Sequence, residues 1–300
     1  MTQTDEAPSK STFSHSSYAT FRPSYPTSLY QKLLAYHSAP RSLCLDLGSG
    51  HGVVARALAP SFTTVIGTDP SAGMVTQANS SDNPSNLSFR GAPAESLPFI
   101  ADGSVDMVVA GQAAHWFDHQ RLWPEMARVV RESGTLAFWG YKDHVFVDYP
   151  RTTDILNHYA YGSGKELLGD YWGQPGRAIV QNKYRDIVPP AENWESVQRL
   201  EYEPGTYGPS SGEGDLFLSK KMTLRDCKSY IRTWSAFHAW VEAHPGVKKA
   251  EDGGRGDVVD EMFDKMVDAE DDWQQADRWP ELEVRVEWGS GLLLARRRRS

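Results

Sequence analysis

The chain has 300 residues, a hydrophobic content of 40% and a net charge of −8, with 31 Lys and Arg against 39 Asp and Glu. This composition excludes a wholly disordered or collagen-like chain, and the acidic balance argues against a nucleic-acid partner. Two cysteines, Cys44 and Cys227, cannot form a disulfide framework. Without a signal-like N-terminus or about 18 consecutive apolar residues, the sequence predicts a cytoplasmic protein with no membrane partner.

Strands and helices alternate in the predicted first half of the chain. A Ser- and Thr-rich tail over residues 1–16 comes first, and order is expected to begin near Tyr18. The predicted strands are 43–47, 63–67, 87–90, 105–109 and 135–139, and the predicted helices are 28–36, 53–58, 72–77 and 123–130. Such alternation predicts an α/β fold with a doubly wound, mostly parallel sheet, whose ligands bind at the carboxyl ends of the strands.

The second half has a different pattern, rich in aromatic residues and interrupted by glycines. It predicts a mainly helical cap over residues 141–280, including one long helix from Thr223 to about His244 and another over 258–267. Residues 282–288 alternate with period two, Gly289-Ser-Gly291 follows, and 292–296 are again apolar. We therefore predict a core over 17–140, an inserted cap, and a β-hairpin over 281–300 that completes the core sheet.

A glycine-rich turn follows the first predicted strand, in the sequence Asp46-Leu-Gly-Ser-Gly-His-Gly52. Alternate glycines let the backbone approach a ligand that side chains would exclude. The dinucleotide pattern GxGxxG needs a glycine where Val53 stands, and the triphosphate pattern GxxxxGK[ST] is absent. Asp69 ends the second strand about 20 residues further on, where a carboxylate accepts hydrogen bonds from ribose hydroxyls. The sequence thus predicts a nucleoside-containing ligand other than NAD.

Four segments of the core resemble the motifs of class I S-adenosylmethionine-dependent methyltransferases, over about residues 18–140. These segments are Asp46–Gly52, Gly67–Met74, Ala94–Phe99 and Val105–Val109. Three other segments resemble a fungal branch of trans-aconitate-methyltransferase-like enzymes: Tyr18–Pro26, Gly111–Phe117 and Tyr171–Arg177. The resemblance implies a Rossmann-like fold and S-adenosyl-L-methionine as the cofactor.

The resemblance also implies roles for individual residues. The glycines would pass the methionine half of the cofactor, Asp46 would face its amino group, and Asp69 would hold the ribose. Ala94 and Glu95 would border the adenine, and Gln112 would lie near the sulfonium. An aromatic and basic N-terminal arm, with Tyr18 and Arg22, is expected to close over the cofactor. The predicted cofactor-binding residues are Tyr18, Arg22, Asp46, Gly48, Gly50, Gly52, Asp69, Ala94, Glu95 and Gln112.

Residues that bind the methyl acceptor are predicted where polar side chains stand next to aromatic ones. His115, beside Trp116 after the fourth strand, is placed for a general base or a substrate hydrogen bond, although a loop-packing role stays open. The predicted substrate-binding residues are His115, Trp116, Tyr171, Trp172, Arg177, Trp234 and His238, with core packing as the alternative for each cap residue. His115 and His119 lack the glutamate of HExxH and a third ligand, so no metal site is predicted.

These observations predict methyl transfer to a small molecule, on a carboxylate oxygen of an organic acid. A carboxylate needs no base, and Arg22 and Arg177 offer cations for an acid. An O-, N- or S-methyltransferase of a secondary metabolite stays open. So does a non-catalytic S-adenosylmethionine-binding regulator, because cofactor motifs alone show only binding.

Overall fold

A computed structural model describes residues 23–276 and 278–299. The predicted tail over 1–16 and the arm residues Tyr18 and Arg22 lie outside the described residues. Their proposed roles therefore stay predictions.

The first half of the chain alternates strands and helices as predicted. Its elements are α1 (Thr27–Tyr36), β1 (Leu43–Leu47), α2 (Val53–Leu58), β2 (Thr64–Asp69), α3 (Ala72–Ser80), β3 (Leu87–Gly91), β4 (Val105–Gly111), α4 (His119–Val129) and β5 (Val130–Phe146). The five strands lie in the order β3-β2-β1-β4-β5 and are all parallel. β4 is almost wholly buried, as central parallel strands are, because helices cover both faces of the sheet. The doubly wound fold is confirmed.

The second half supplies the cap and the remaining strands. Its elements are α5 (Pro150–Tyr161), α6 (Gly176–Gln181), β6 (Trp194–Glu203), β7 (Glu213–Gly214), β8 (Ser219–Thr223), α7 (Leu224–Ile231), α8 (Ser235–Ala243), α9 (Val258–Ala269), α10 (Asp271–Gln274) and β9 (Glu283–Arg297). The sequence did not predict β6, because only Trp194 and Tyr202 of its side chains are buried and its apolar alternation is weak.

The predicted C-terminal hairpin is wrong. Residues 283–297 form one continuous strand, β9, which completes the core sheet by pairing antiparallel with β5, β6 and β8. Its glycines do not turn the chain. A side chain at Gly289 would collide with Lys142, and one at Gly291 with the backbone of Lys183, so both glycines allow close packing against β9.

The predicted long helix from Thr223 to His244 is two helices, α7 and α8. Trp234 is the N-cap of α8 and has an extended backbone, with φ −69° and ψ 143°. The Thr233 hydroxyl donates to the carbonyl of Tyr230 where α7 ends. This break buries the Trp234 ring against Trp172 and Tyr230, so tertiary packing overrides the continuous helical pattern.

Two apolar layers enclose the sheet. One layer joins α1 and α2 to the cap helices α5, α7, α8 and α9, and the other contains α4 and α6. The carboxyl ends of β1, β2 and β4 meet at one edge of this sandwich. That edge is where the glycine turn, Asp69 and Gln112 come together.

Candidate active site

The glycine turn connects β1 to α2 through left-handed backbone that favours glycine. Gly48 and Gly50 have φ values of +61° and +54°. A Cβ at Gly48 would lie 2.6 Å from that of Ala113, so Gly48 is needed for packing. A Cβ at Gly50 would meet nothing within 4 Å among the described residues. Gly50 therefore faces open space, where a ligand can approach the backbone.

Asp69 joins the end of β2 to this turn. The buried Asp69 carboxylate accepts a hydrogen bond from the Gly50 amide at 2.9 Å and another from the Ser71 amide at 2.8 Å. An ionised carboxylate has about four acceptor sites, so two backbone bonds leave capacity for hydroxyl donors. The two motif elements that the sequence predicted separately form one unit.

Asp46 lies beneath the turn, at the end of β1, and is 1% exposed. Neither carboxylate oxygen has a hydrogen-bond partner among the described residues. Burial, with a smaller contribution from the charge of Asp69, raises the pKa of Asp46 to about 8. The Ala55 amide in the first turn of α2 lowers that pKa in part, but it does not reach hydrogen-bonding geometry. A cationic ligand group near Asp46 would stabilise its ionised form.

Two more buried oxygens at the turn lack partners among the described residues, the hydroxyls of Ser49 and Thr68. Buried polar atoms are normally hydrogen-bonded, so a cluster of exceptions indicates a place where a polar ligand binds. Together with the open backbone at Gly50, these oxygens fit a nucleoside cofactor that carries an amino acid.

The residues predicted near the adenine lie after β3. Ala94 is buried, and the Glu95 carboxylate accepts a hydrogen bond from the Asp118 amide at 2.7 Å. Asp118 is the N-cap of α4, and its side chain accepts from the Gln120 and Arg121 amides. Glu95 thus fixes the loop after β3 to the start of α4.

Gln112 connects β4 to β5. Its side-chain amide donates to the Tyr141 carbonyl at 2.9 Å and accepts from the Tyr141 amide at 2.7 Å. Its backbone amide donates to the carbonyl of Trp139, and its φ is +54°. The side chain predicted near the sulfonium therefore fixes the carboxyl end of β4 to the middle of β5.

His115 lies in a short 3₁₀ helix, Ala114–Trp116, directly after β4. Its Nδ1 is 2.9 Å from the Tyr184 hydroxyl, and its ring packs against Trp116 with 4.8 Å between centroids. A Cβ at Gly176 would lie 3.1 Å from the His115 carbonyl and 3.4 Å from the Trp116 ring. The structure thus joins segments Gly111–Phe117 and Tyr171–Arg177.

Arg177 is held by the cap. Its Nη2 donates to both oxygens of Asp143, at 2.5 and 2.6 Å, and to the Tyr161 hydroxyl. Its guanidinium lies 3.9 Å from the centroid of the Trp172 ring. Because side chains of this pair are only about a tenth exposed, Asp143 neutralises the cation that the sequence assigned to an acidic substrate.

The remaining predicted substrate residues belong to the cap interior. Trp234 packs against Trp172, whose indole donates to the Ala160 carbonyl. The Tyr171 hydroxyl donates to the Lys165 carbonyl, and His238 packs beside Phe237.

Sequence reasoning missed Tyr184, Asp143 and Tyr30. Tyr184 is buried with φ +64°, a backbone state that no sequence pattern marks for tyrosine. The phenol of Tyr30, on α1, has a raised pKa because of burial and the charge of Asp46. Tyr25, just before α1, packs edge-on against Trp139 with 5.4 Å between ring centroids. Tyr25 therefore lies near the carboxyl end of β4, because Trp139 pairs with Gly111 there.

The site has the architecture of a nucleoside-binding α/β enzyme, and comparisons with known proteins identify its class. A family described as a methyltransferase domain matches residues 45–138. The chain is 32% identical over 232 residues to an uncharacterized methyltransferase of Mycobacterium tuberculosis, covering 77% of this chain and 84% of the relative. It is 29% identical to the Saccharomyces cerevisiae protein named "Probable S-adenosylmethionine-dependent methyltransferase CRG1", covering 95% and 96%.

Among solved structures, a "Putative Type II Methyltransferase" from Anaeromyxobacter dehalogenans is similar, with a TM-score of 0.66 and 28% identity. The similarity covers 92% of this chain and 98% of that one. The chain belongs to the class I S-adenosylmethionine-dependent methyltransferases. It is an enzyme, and S-adenosylmethionine is its cofactor.

Across residues 23–276 and 278–299, none of the helices combines the length and apolar character needed to span a bilayer. Within the same part of the chain, no three His, Cys, Asp or Glu side chains converge as metal ligands would.

Proposed function

We propose that the enzyme methylates a small molecule bound between the carboxyl ends of β4 and β5 and the cap segment Tyr171–Arg177. The observation that carries this proposal is the packing of Gly176 against His115 and Trp116. It closes the cap over the strand ends where ligands of doubly wound sheets bind. S-adenosylmethionine supplies an electrophilic methyl group, so the chain must mainly hold and align the nucleophile.

We propose the following cofactor contacts for this chain. Gly50 gives backbone access, Asp69 accepts the ribose hydroxyls, and Asp46 pairs with the amino group. Ala94 and Glu95 border the adenine, and Gln112 positions the strand ends near the sulfonium. Gly48 and Gly52 shape the turn, and Tyr18 and Arg22 contact the cofactor from the N-terminal arm.

We further propose that the acceptor has a nucleophile with a removable proton, such as a hydroxyl, and that His115 is its general base. The Tyr184 hydroxyl orients the imidazole through Nδ1. This choice over a carboxylate follows from Arg177, whose Nη2 is already engaged by Asp143 and Tyr161. A trans-aconitate-like organic acid is the second candidate, supported by the buried Nε of Arg177, which lacks an acceptor among the described residues.

A product-mass screen tests this proposal. The full chain is incubated with labelled cofactor and with phenols, alcohols, thiols, amines and small acids, and kcat is then followed against pH on the best acceptor. With a hydroxyl acceptor, the kcat of the wild type should rise with pH through the neutral range. In His115→Gln, kcat should be about 10²–10⁴-fold lower and should no longer rise with pH. A pH-independent kcat that His115→Gln retains would favour the carboxylate. Cofactor binding without any product would contradict the small-molecule proposal.

A further inference from the structure

A cavity of about 270 Å³ lies beside the candidate active site. It is partly open to solvent and is lined by the carboxyl end of β5, by α5 and by the loop after β6, with Asp143, His144, Thr153, Tyr161 and Glu203 among its wall residues. Small-molecule sites usually measure about 300–1,000 Å³, so this cavity accommodates a compact ligand. Asp143 and Tyr161 connect it to Arg177 and therefore to the segment that packs on His115.

Polar atoms of two side chains in the wall are buried and have no hydrogen-bond partner in the part of the chain that the structure describes. His144 is 1% exposed, and neither of its ring nitrogens has a hydrogen bond among the described residues; nor does the buried hydroxyl of Thr153. Aromatic rings surround the imidazole, with the Phe146 centroid at 4.9 Å and that of Tyr230 at 5.3 Å. Burial lowers the pKa of His144 to about 3. A neutral imidazole offers one donor and one acceptor, so a ligand with hydrogen-bonding groups would satisfy it.

Charged groups of the wall already have partners of opposite sign. Asp143 pairs with Arg177. Glu203 lies between Lys142, at 2.5 Å, and Lys183, at 3.0 Å. A charged ligand would lose its hydration without gaining an unpaired counter-charge. The cavity therefore favours a neutral ligand.

We propose that this cavity holds the body of the methyl acceptor, a neutral molecule whose oxygen groups hydrogen-bond to His144 and Thr153. The inference rests on the proposed function, because it places the acceptor's reacting end beside His115. It adds the chemical class of the acceptor and two binding residues.

Neutral and charged probe molecules, each a six-membered ring with two substituents, test whether the cavity selects a neutral ligand. The full chain, with S-adenosylhomocysteine present, is titrated with resorcinol, cis-cyclohexane-1,3-diol, 3-hydroxybenzoate and 3-(aminomethyl)phenol, using calorimetry and NMR of labelled histidine rings. We expect a neutral diol to bind at least tenfold more tightly than either charged analogue and to shift the His144 ring signals. Absence of binding by both diols, or equal binding by the charged analogues, overturns the proposal.

Two variants test the residues. His144→Phe and Thr153→Val should each weaken diol binding at least tenfold without lowering the thermal unfolding temperature, because each removes an unpartnered buried polar group. His158→Gln, on the exposed side of α5, is the control and should leave diol binding unchanged. Wild-type diol affinity in Thr153→Val, whatever the stability of His144→Phe, overturns the assignment.

Cofactor titration separates this inference from the proposed function. S-adenosylmethionine affinity should be unchanged in both cavity variants. If the wild type binds the diols as expected but methylates no small molecule, the proposed function fails, and the cavity is a site for neutral ligands but not for a methyl acceptor. If methylation occurs and the variants keep wild-type acceptor KM, the cavity assignment fails.

Discussion

The glycine turn and the cap each bury an aspartate, and the two aspartates have opposite electrostatic surroundings. Asp46 in the turn has no hydrogen-bond partner among the described residues, and its pKa is raised to about 8, mainly by burial. Asp143, on β5 beneath the cap, accepts two hydrogen bonds from Arg177 of the cap. The first site needs a positive charge from its ligand, whereas the second already has one from the protein.

This difference has a consequence for ligand selection. A buried carboxylate without a counter-charge is stabilised by a cationic ligand group, and the amino group of S-adenosylmethionine is such a group. A buried ion pair is neutral as a whole, and breaking it to bind an anion would be costly. The turn therefore suits a charged cofactor and the cap a neutral acceptor.

The largest expected effect is at the backbone of the turn. Gly50→Val should weaken S-adenosylmethionine binding by at least about 1,000-fold, or about 4 kcal/mol, because the side chain fills ligand space and strains a left-handed residue. Calorimetric titration with S-adenosylmethionine measures this loss of affinity. Gly103→Val is a matched control, since Gly103 has φ +58° and also faces open space, away from the turn. Wild-type affinity in Gly50→Val would refute close approach there.

The next effect is on stability, in the cap. Asp143→Asn leaves the Arg177 cation without its counter-charge, which should lower the free energy of unfolding by about 3 kcal/mol. Urea denaturation checks this. Glu281→Gln breaks an exposed pair with Arg225 and should change the free energy of unfolding very little. Equal losses in the two variants would show that the Asp143 pair is no stronger than a surface pair.

A smaller effect on affinity is expected at Asp69. Asp69→Ala removes a charge-assisted acceptor and should cost about 1.5–3 kcal/mol of cofactor binding. Asp69→Asn keeps one carbonyl oxygen and should lose less, and circular dichroism shows whether the turn between Asp69 and Gly50 has kept its fold. Unchanged affinity in Asp69→Ala would remove this residue from the site.

The two regions also differ in how far the sequence predicted them. The turn depends on residues close in the chain: Gly50, in the turn after β1, and Asp69, at the end of the adjacent parallel strand β2, are 19 positions apart. The cap site joins His115 to Tyr184, 69 positions apart, and Tyr184 has a backbone conformation that no periodicity signals. Local patterns therefore identified the cofactor motifs, while the partner of His115 depends on tertiary packing.

The wrong hairpin has a similar cause. Alternating residues around Gly289-Ser-Gly291 match the pattern of a turn between two strands. Only the neighbours, Lys142 and Lys183, show that these glycines make room inside one strand. The Arg177 prediction was limited in the same way, because Asp143 has no sequence signal that marks it as a partner.

The sharpest test of the comparison is the pH dependence of Asp46. Its folded-state pKa of about 8 lies above the ordinary value of 3.8, so the folded protein binds the proton more tightly than the unfolded chain. The contribution of protonated Asp46 to the free energy of unfolding is fully present below about pH 4 and is lost as the pH rises towards 8. Asp46→Asn mimics the protonated acid. At pH 8 the cofactor-free Asp46→Asn variant should therefore be more stable than the wild type, whereas Asp143→Asn should be less stable.

Cofactor binding should reverse this advantage of Asp46→Asn. A ligand ammonium group favours the ionised carboxylate, so wild-type protein at pH 7 should release close to one proton when S-adenosylmethionine binds. Calorimetry in phosphate and in Tris buffer measures that proton, because the two buffers have different ionisation enthalpies. Asp46→Asn should release none and should bind more weakly. A wild-type binding enthalpy that is the same in both buffers would show that Asp46 does not pair with the cofactor, and the contrast with Asp143 would then concern folding alone.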